Sequence, residues 1–444
     1  MTYLGQSHVL RRDARGRCLD SSVDIYGMAH AATSDAVLAA FADAVRGWTA
    51  YRPETGKLLA RALELAPHLT AAHALRGMME VLRALPEAMH SARAAYSAAV
   101  ATLHDASTDD EWALCQALEL ALAGCLLAAA DVLDRQLTRR PHNLAFIKLS
   151  TMLRFVGGDV AGMRRATMRA VASWSAAQPG YGFVLGCHAF ALEETGDFAA
   201  AERAGRDAVG YEPADAWAIH AVAHVHEMTG RRQDGIDWLE RCRADWRGCN
   251  NFAFHLSWHL ALFHLEAGDH ERVLEIYDRE VRAVRSEEYR DVANATSLLW
   301  RLRQDGVEVG GRWAELAEIA RRRRHEAGLL FADLHRLLAL VAVGDRDAAR
   351  DCLGALAGAR GEQGALVACC GADLARGLMG LPVDGLDQVA SSLDGLGGSH
   401  AQRDVFMRSL ALAARSGGDD AALRRIMALR HRLRAGDRFR ARLS

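Results

Sequence analysis

The chain has 444 residues, a formal charge of −2 and 25% charged residues, a balance that gives no reason to expect a nucleic-acid, membrane-surface or strongly acidic partner. Half of the residues are hydrophobic and only 7 are proline; long Ala/Leu/Arg/Glu stretches with almost no β-branched runs read as an all-α protein. Nine cysteines, with no CxxC pair and with Cys369 next to Cys370, fit neither a zinc ribbon nor a disulfide framework, so a cytoplasmic protein is expected.

Taken in chain order, the opening "MTYLGQSHVLRRDARGRCLD" has no apolar signal core, and residues 1–66 read as an N-terminal cap with the first helices. Turn signals then recur at Pro86, Gly124, Gly158, Gly196, Gly230, Gly268, Gly306, Gly344, Gly380 and Gly418, with steps of 38, 34, 38, 34, 38, 38, 38, 36 and 38. Apolar helical stretches precede these turns and amphipathic ones follow, a helix-turn-helix unit of tetratricopeptide length. Glycine stands where a helix end needs a left-handed residue; Pro67, Pro141, Pro179 and Pro213 fall between units. Ala189, Ala201, Ala208 and Pro213 sit at the small-residue and proline positions of such a repeat. Residues 67–425 therefore read as one continuous right-handed α-solenoid, with roughly ten helical hairpins in all and no β-sheet. Residues 426–444 read as a basic capping helix with a solvated tail. The most apolar stretch, "WALCQALELALAGCLLAAADVL", is interrupted by Gln116 and Glu119 and reads as a buried helix pair, with no membrane span.

The phrases "WAIHAVAHVHEMTGRRQDGIDWL", "HLSWHLALFHLEAGDHERVLEIYD", "SLLWRLRQDGVEVGGRW" and "FADLHRLLALVAVGD", in that order, resemble the tetratricopeptide repeat protein 38 family. The resemblance covers Gly180 to Arg346, and more loosely the rest of the chain through its repeat spacing. Asn294 stands where the family pattern has an aspartate, and "HLSWH" replaces an "HNWWH" pattern. The resemblance implies the fold and a shared groove, and no particular reaction.

In such a repeat the first helix of each pair lines the concave face, along one stripe at helical spacing. That stripe takes His220, His224 and Glu227 and leaves His226 at a packing position. From neighbouring units it takes Lys148, Met152 and Phe155, then Phe190 and Glu193, then His255, Trp258 and Leu262, then Thr296, Trp300 and Arg303, then Phe331, with His259 and His335 one step off. The expected cleft has aromatic and aliphatic walls and a few ionisable groups, the usual makeup of a small-molecule site.

Three functions fit. The first is a binding module that takes a small molecule or a short peptide in this groove. The second is an enzyme on the same scaffold, with His220, His224 and Glu227 in catalysis. A histidine beside Glu227 or Glu193 would transfer protons, with Lys148 depressed by burial into a nucleophile or anion partner. The third is a protein-interaction scaffold. No cofactor is expected and no residue is assigned as a metal ligand. The alternative is a His-ligated metal, which the spacing permits, since HxxxH at 220/224 and again at 255/259 could bring four neutral nitrogens together from adjacent helices. The zinc-peptidase pattern fails, because Ala221 stands where HExxH has glutamate. Set against these readings, Glu193 and Glu227 could merely end their helices, and His188, His226 and His264 fall at packing or helix-end positions. The arginine runs at Arg321–His325 and in the C-terminal helix lack the stacking residues or fold motif of a nucleic-acid binder. A homo-oligomer is compatible with the sequence.

Overall fold

The computed structural model describes residues 21–443 and the strand pair Arg11–Arg12 with Cys18–Leu19. The reading of the opening twenty residues as free of a signal core lies otherwise outside the described residues. The fold is all-α. The expectation of no sheet is corrected by two small antiparallel strand pairs, the one just named and Ser21–Val23 with Ala29–Ala31. The second turns on Gly27, at φ +86°, where a Cβ would strike the carbonyl oxygen of His142.

All nine turn glycines from Gly124 to Gly418 have φ between +70° and +82°, a region that costs other residues strain. At four of these turns the next residue is an aspartate that caps the following helix: Asp159, Asp269, Asp345 and Asp419 accept from the backbone N–H of Gly162, Arg272, Ala348 and Ala422. Glycine ends one helix and aspartate starts the next, so the chain reverses within two residues.

Of each helix pair, one member is buried on nearly every side and the other is amphipathic. The buried set includes Leu144–Val156, Tyr181–Glu194, Ala216–Met228, Phe252–Ala267, Tyr289–Gln304 and Leu330–Ala342. Each of these helices packs on the next of the set. Close approach is bought with small residues, as where Gly235 meets the Phe263 ring and Gly205 meets Val222.

Both ends of the chain fold back on the middle. Asn250 N–H donates to the Tyr51 carbonyl (2.7 Å), the Glu362 carboxylate accepts from the backbone of Leu126 and Leu127, and Ala435 N–H donates to the Met228 carbonyl (2.8 Å). Helix His400–Ser416 lies against Tyr289–Gln304 and Ala216–Met228. There Trp300 Nε1 donates to Ser409 (2.9 Å) and Arg301 to the Ala401 carbonyl (2.7 Å). Helix His400–Ser416 thus packs against two of the helices expected to line the groove.

Arg432, Arg440 and Arg442 of the C-terminal segment are exposed, as a solvated face requires, but two of its arginines are buried. Arg430 and Arg434 are buried and bridge to Asp404 and Glu227, and Phe439 is buried beneath Arg408. The Asp420–Leu433 helix runs across the boundary expected at residue 425. In the other basic run, Arg321, Arg322, Arg323 and Arg324 each pair with a carboxylate. No described helix is long and apolar enough to cross a membrane.

Candidate metal centre and its cleft

Two i,i+4 histidine pairs stand on adjacent buried helices: His220 and His224 on Ala216–Met228, His255 and His259 on Phe252–Ala267. Asp215 fixes the start of the first helix by accepting from Trp217 N–H. The i,i+4 spacing puts each pair on one face, and packing turns the two faces together. His224 Nε2 lies 2.8 Å from His220 Nε2, His220 Nε2 lies 2.9 Å from His255 Nε2, and His255 Nε2 lies 3.3 Å from His259 Nε2. One nitrogen of each ring falls within 4.8 Å of all the others, and all four residues are buried. His259, expected one step off the stripe, is a full member. Its helix is buried almost all round, so the adjacent position also faces a neighbour, here Glu227.

Three of the four outward nitrogens face a side-chain oxygen, those of His255 and His259 in hydrogen bonds, while that of His220 has no hydrogen-bond partner. His259 Nδ1 meets Glu227 Oε2 at 2.9 Å, His255 Nδ1 meets Asn294 Oδ1 at 3.0 Å, and His224 Nδ1 lies 3.3 Å from Glu193 Oε2 and 3.7 Å from Glu194 Oε1. Glu193 and Glu227 therefore do more than end their helices. An ionised carboxylate or an amide oxygen only accepts, so the ring protons of His255 and His259 belong on Nδ1 and their Nε2 lone pairs face the centre. One proton on His220 Nε2 can serve one of its two neighbours, which leaves lone pair facing lone pair elsewhere. A cation removes that conflict, and carboxylate backing of metal-bound histidine is the usual outer arrangement. Tetrahedral coordination at about 2.0–2.1 Å spaces nitrogens roughly 3.3 Å apart, so to seat an ion the two shortest contacts would open by about half an ångström and any wider pair would close to the same spacing. Four imidazoles without thiolate suit zinc, copper, iron or nickel, and disfavour magnesium or calcium.

Charge follows burial and neighbours. Burial and the adjoining imidazoles hold His220 and His255 well below the usual histidine range, and burial with the nearby His224 brings His259 down to about 4 despite Glu227. His224 moves the other way: burial opposes its protonation, but Glu193, Glu194 and Glu227 outweigh it. Burial and Glu194 push Glu193 up to about 7. Burial is outweighed at Glu194 by His400 and Arg403, and at Glu227 by Arg434 and His259, so both carboxyls lie below their ordinary range.

A cleft of about 50 Å³ opens onto His220 and His255, walled by Tyr51, Phe155, Trp217, Phe252 and Phe331, with Arg290 and Gln402 among its polar residues. At roughly 10–15 Å³ per water, the enclosed part holds a few small atoms or one end of a longer ligand. Trp217 lies on the sequence-read stripe one turn before His220 and could have been found there. Tyr51 comes from the far end of the chain and stacks on Phe252 at 4.2 Å; no local signal marks it.

Phe331, Phe155 and Met152 line the cleft with His220 and His255, as expected, and the remaining anticipated groove residues have different places. Phe190 and Trp258 are buried and stack on His220 and His255, bracing the imidazoles; Leu262 is core. Trp300 faces Ser409, and His335 is buried against Phe406 with Nδ1 on the Phe331 carbonyl (2.7 Å). Arg303 is exposed and donates to the Ala342 carbonyl. Lys148 sits behind the cleft, its Nζ 4.7 and 4.5 Å from the Tyr51 and Trp217 rings. Burial opposes its charge, but Tyr51, Cys187 and Asp215 raise its pKa, the direction opposite to the depression expected. No protein-family model matches the chain.

Proposed function

We propose that the protein holds one transition-metal ion on His220, His224, His255 and His259 and admits a small molecule to it through the aromatic cleft. The observation that carries this reading is the convergence of four buried imidazole nitrogens whose opposite ring nitrogens meet carboxylate or amide oxygens at three of the four residues. Burying that much polar surface without a partner at its centre is costly. The scaffold of this reading is a right-handed solenoid of roughly ten tetratricopeptide-like hairpins, as the resemblance to the tetratricopeptide repeat protein 38 family implies. His220 and His255 line the cleft, so these four residues would hold the ion beside it, and an ion that accepted a further ligand there would supply Lewis-acid or redox chemistry to a molecule in the cleft. Elemental analysis of purified protein tests the proposal. One equivalent of zinc, copper, iron or nickel per chain, lost in His255→Ala with helicity retained, is expected. Protein that is metal-free and takes up none of these ions on reconstitution overturns it.

A second reading is metal-free proton transfer, favoured by the Glu193–His224 contact at 3.3 Å with Glu193 near neutrality. Ligand binding or turnover that survives complete chelation would select it.

A further inference from the structure

The segment after the Asp420–Leu433 helix straps across the ends of both histidine-bearing helices. Ala435 N–H donates to the Met228 carbonyl at 2.8 Å, and Arg438 N–H donates to Glu266 Oε2 at 3.1 Å. Between these anchors the Arg434 guanidinium is buried. Its Nη1 donates to Glu227 Oε1 at 2.6 Å, while Nη2 lies 3.5 Å from Glu266 and Nε 3.2 Å from Asp437. The other oxygen of the same carboxylate, Glu227 Oε2, meets His259 Nδ1 at 2.9 Å. A continuous chain of contacts therefore runs from residue 434 through residue 227 to a nitrogen of the four-histidine cluster.

Each Glu227 oxygen has one partner, so the two contacts together fix the carboxylate's rotation. A planar fork that reaches three acidic residues at once holds this geometry; a single ammonium cannot. We infer that Arg434 is a positioning residue of the metal centre: it locks Glu227, Glu227 locks the His259 ring, and the ring keeps Nε2 aimed at the ion. The inference rests on the metal reading above. Geometry and charge pull in opposite directions here, because deleting a nearby cation by itself favours binding of another cation. The informative variant is therefore Arg434→Lys, which keeps the charge and removes the fork.

The test is a double-mutant cycle on the full-length chain, titrated with Co(II) and read by affinity and by the visible ligand-field spectrum. Arg434→Lys is expected to weaken Co(II) binding by about 10-fold and to alter the spectrum, the size of effect typical of an outer partner of a metal ligand. Glu227→Gln is expected to do the same, and adding Arg434→Lys to Glu227→Gln should change neither readout further, which a merely structural arginine would not produce. Thermal melts accompany each variant; should Arg434→Lys fail to fold, Arg434→Gln enters the same cycle and is read by the ligand-field spectrum alone, because its lost charge by itself raises Co(II) affinity, and an unchanged spectrum overturns the inference. Unchanged or tighter binding in Arg434→Lys, or effects that simply add, overturns the inference while leaving the metal centre standing. A parent protein that binds no Co(II) overturns both.

Discussion

His224 and His226 stand two residues apart on one helix and are both almost fully buried, yet only His224 reaches the cluster, 2.8 Å from His220, while neither ring nitrogen of His226 has a protein partner. The two should therefore respond oppositely. His226→Leu fills the same space without an unpaired polar group and should keep full metal content, with stability equal to the parent or higher by about 1 kcal/mol. His224→Ala should lose the metal and also be destabilised by about 1–3 kcal/mol, since the ring lies in a packed interior and not along an open groove. Denaturant titration with metal analysis checks the pair. A His226→Leu protein that loses its metal would place that residue in the site after all.

Chelation should lower the melting temperature of the parent and leave that of His224→Ala unchanged. An ion that binds only the folded state stabilises it by about 4 kcal/mol at a free concentration 1,000-fold above Kd. Equal melting of parent and variant, with and without chelator, would contradict the four-histidine centre.

His335 supplies a pH signature away from the cluster. Burial brings its pKa down to about 4 in the folded chain, against 6.5 for an ordinary histidine. The unfolded chain then binds the proton more readily, so this residue's contribution is complete above pH 6.5 and is lost as the pH falls toward 4. Between pH 7 and pH 5 the loss is about 2 kcal/mol. His335→Leu should remove that share of acid sensitivity, seen as a smaller drop in unfolding free energy over the same interval than the parent shows.

Gly397 seats the loop beside the cleft. It has φ +70° and ψ −173°, and a Cβ there would fall 2.2 Å from the Val156 carbonyl oxygen. Gly397→Ala should cost about 2–4 kcal/mol from backbone strain and collision together. It should also disturb Gly398 and Val156, which line the cleft. A variant with parental stability would mean that the loop reseats at no cost.

What the sequence determined by itself is local. Helix, turn and cap depend on residues within about four positions of one another, so the glycines at left-handed φ, the aspartates that follow them and the shared face of His220 and His224 could all be read along the chain. Lys148 and Arg303 show the limit: a stripe gives a direction, while depth and neighbours decide charge and exposure. The HxxxH spacing offered His259 as a partner of the other three histidines, but only the tertiary structure turned the two faces together, set Tyr51 against Phe252 and Arg434 against Glu227, and laid the His400–Ser416 helix against the Tyr289–Gln304 and Ala216–Met228 helices. Those contacts join residues up to 207 positions apart. Their specificity comes from packing and from the need to pair each buried charge, and neither leaves a periodic trace in the sequence.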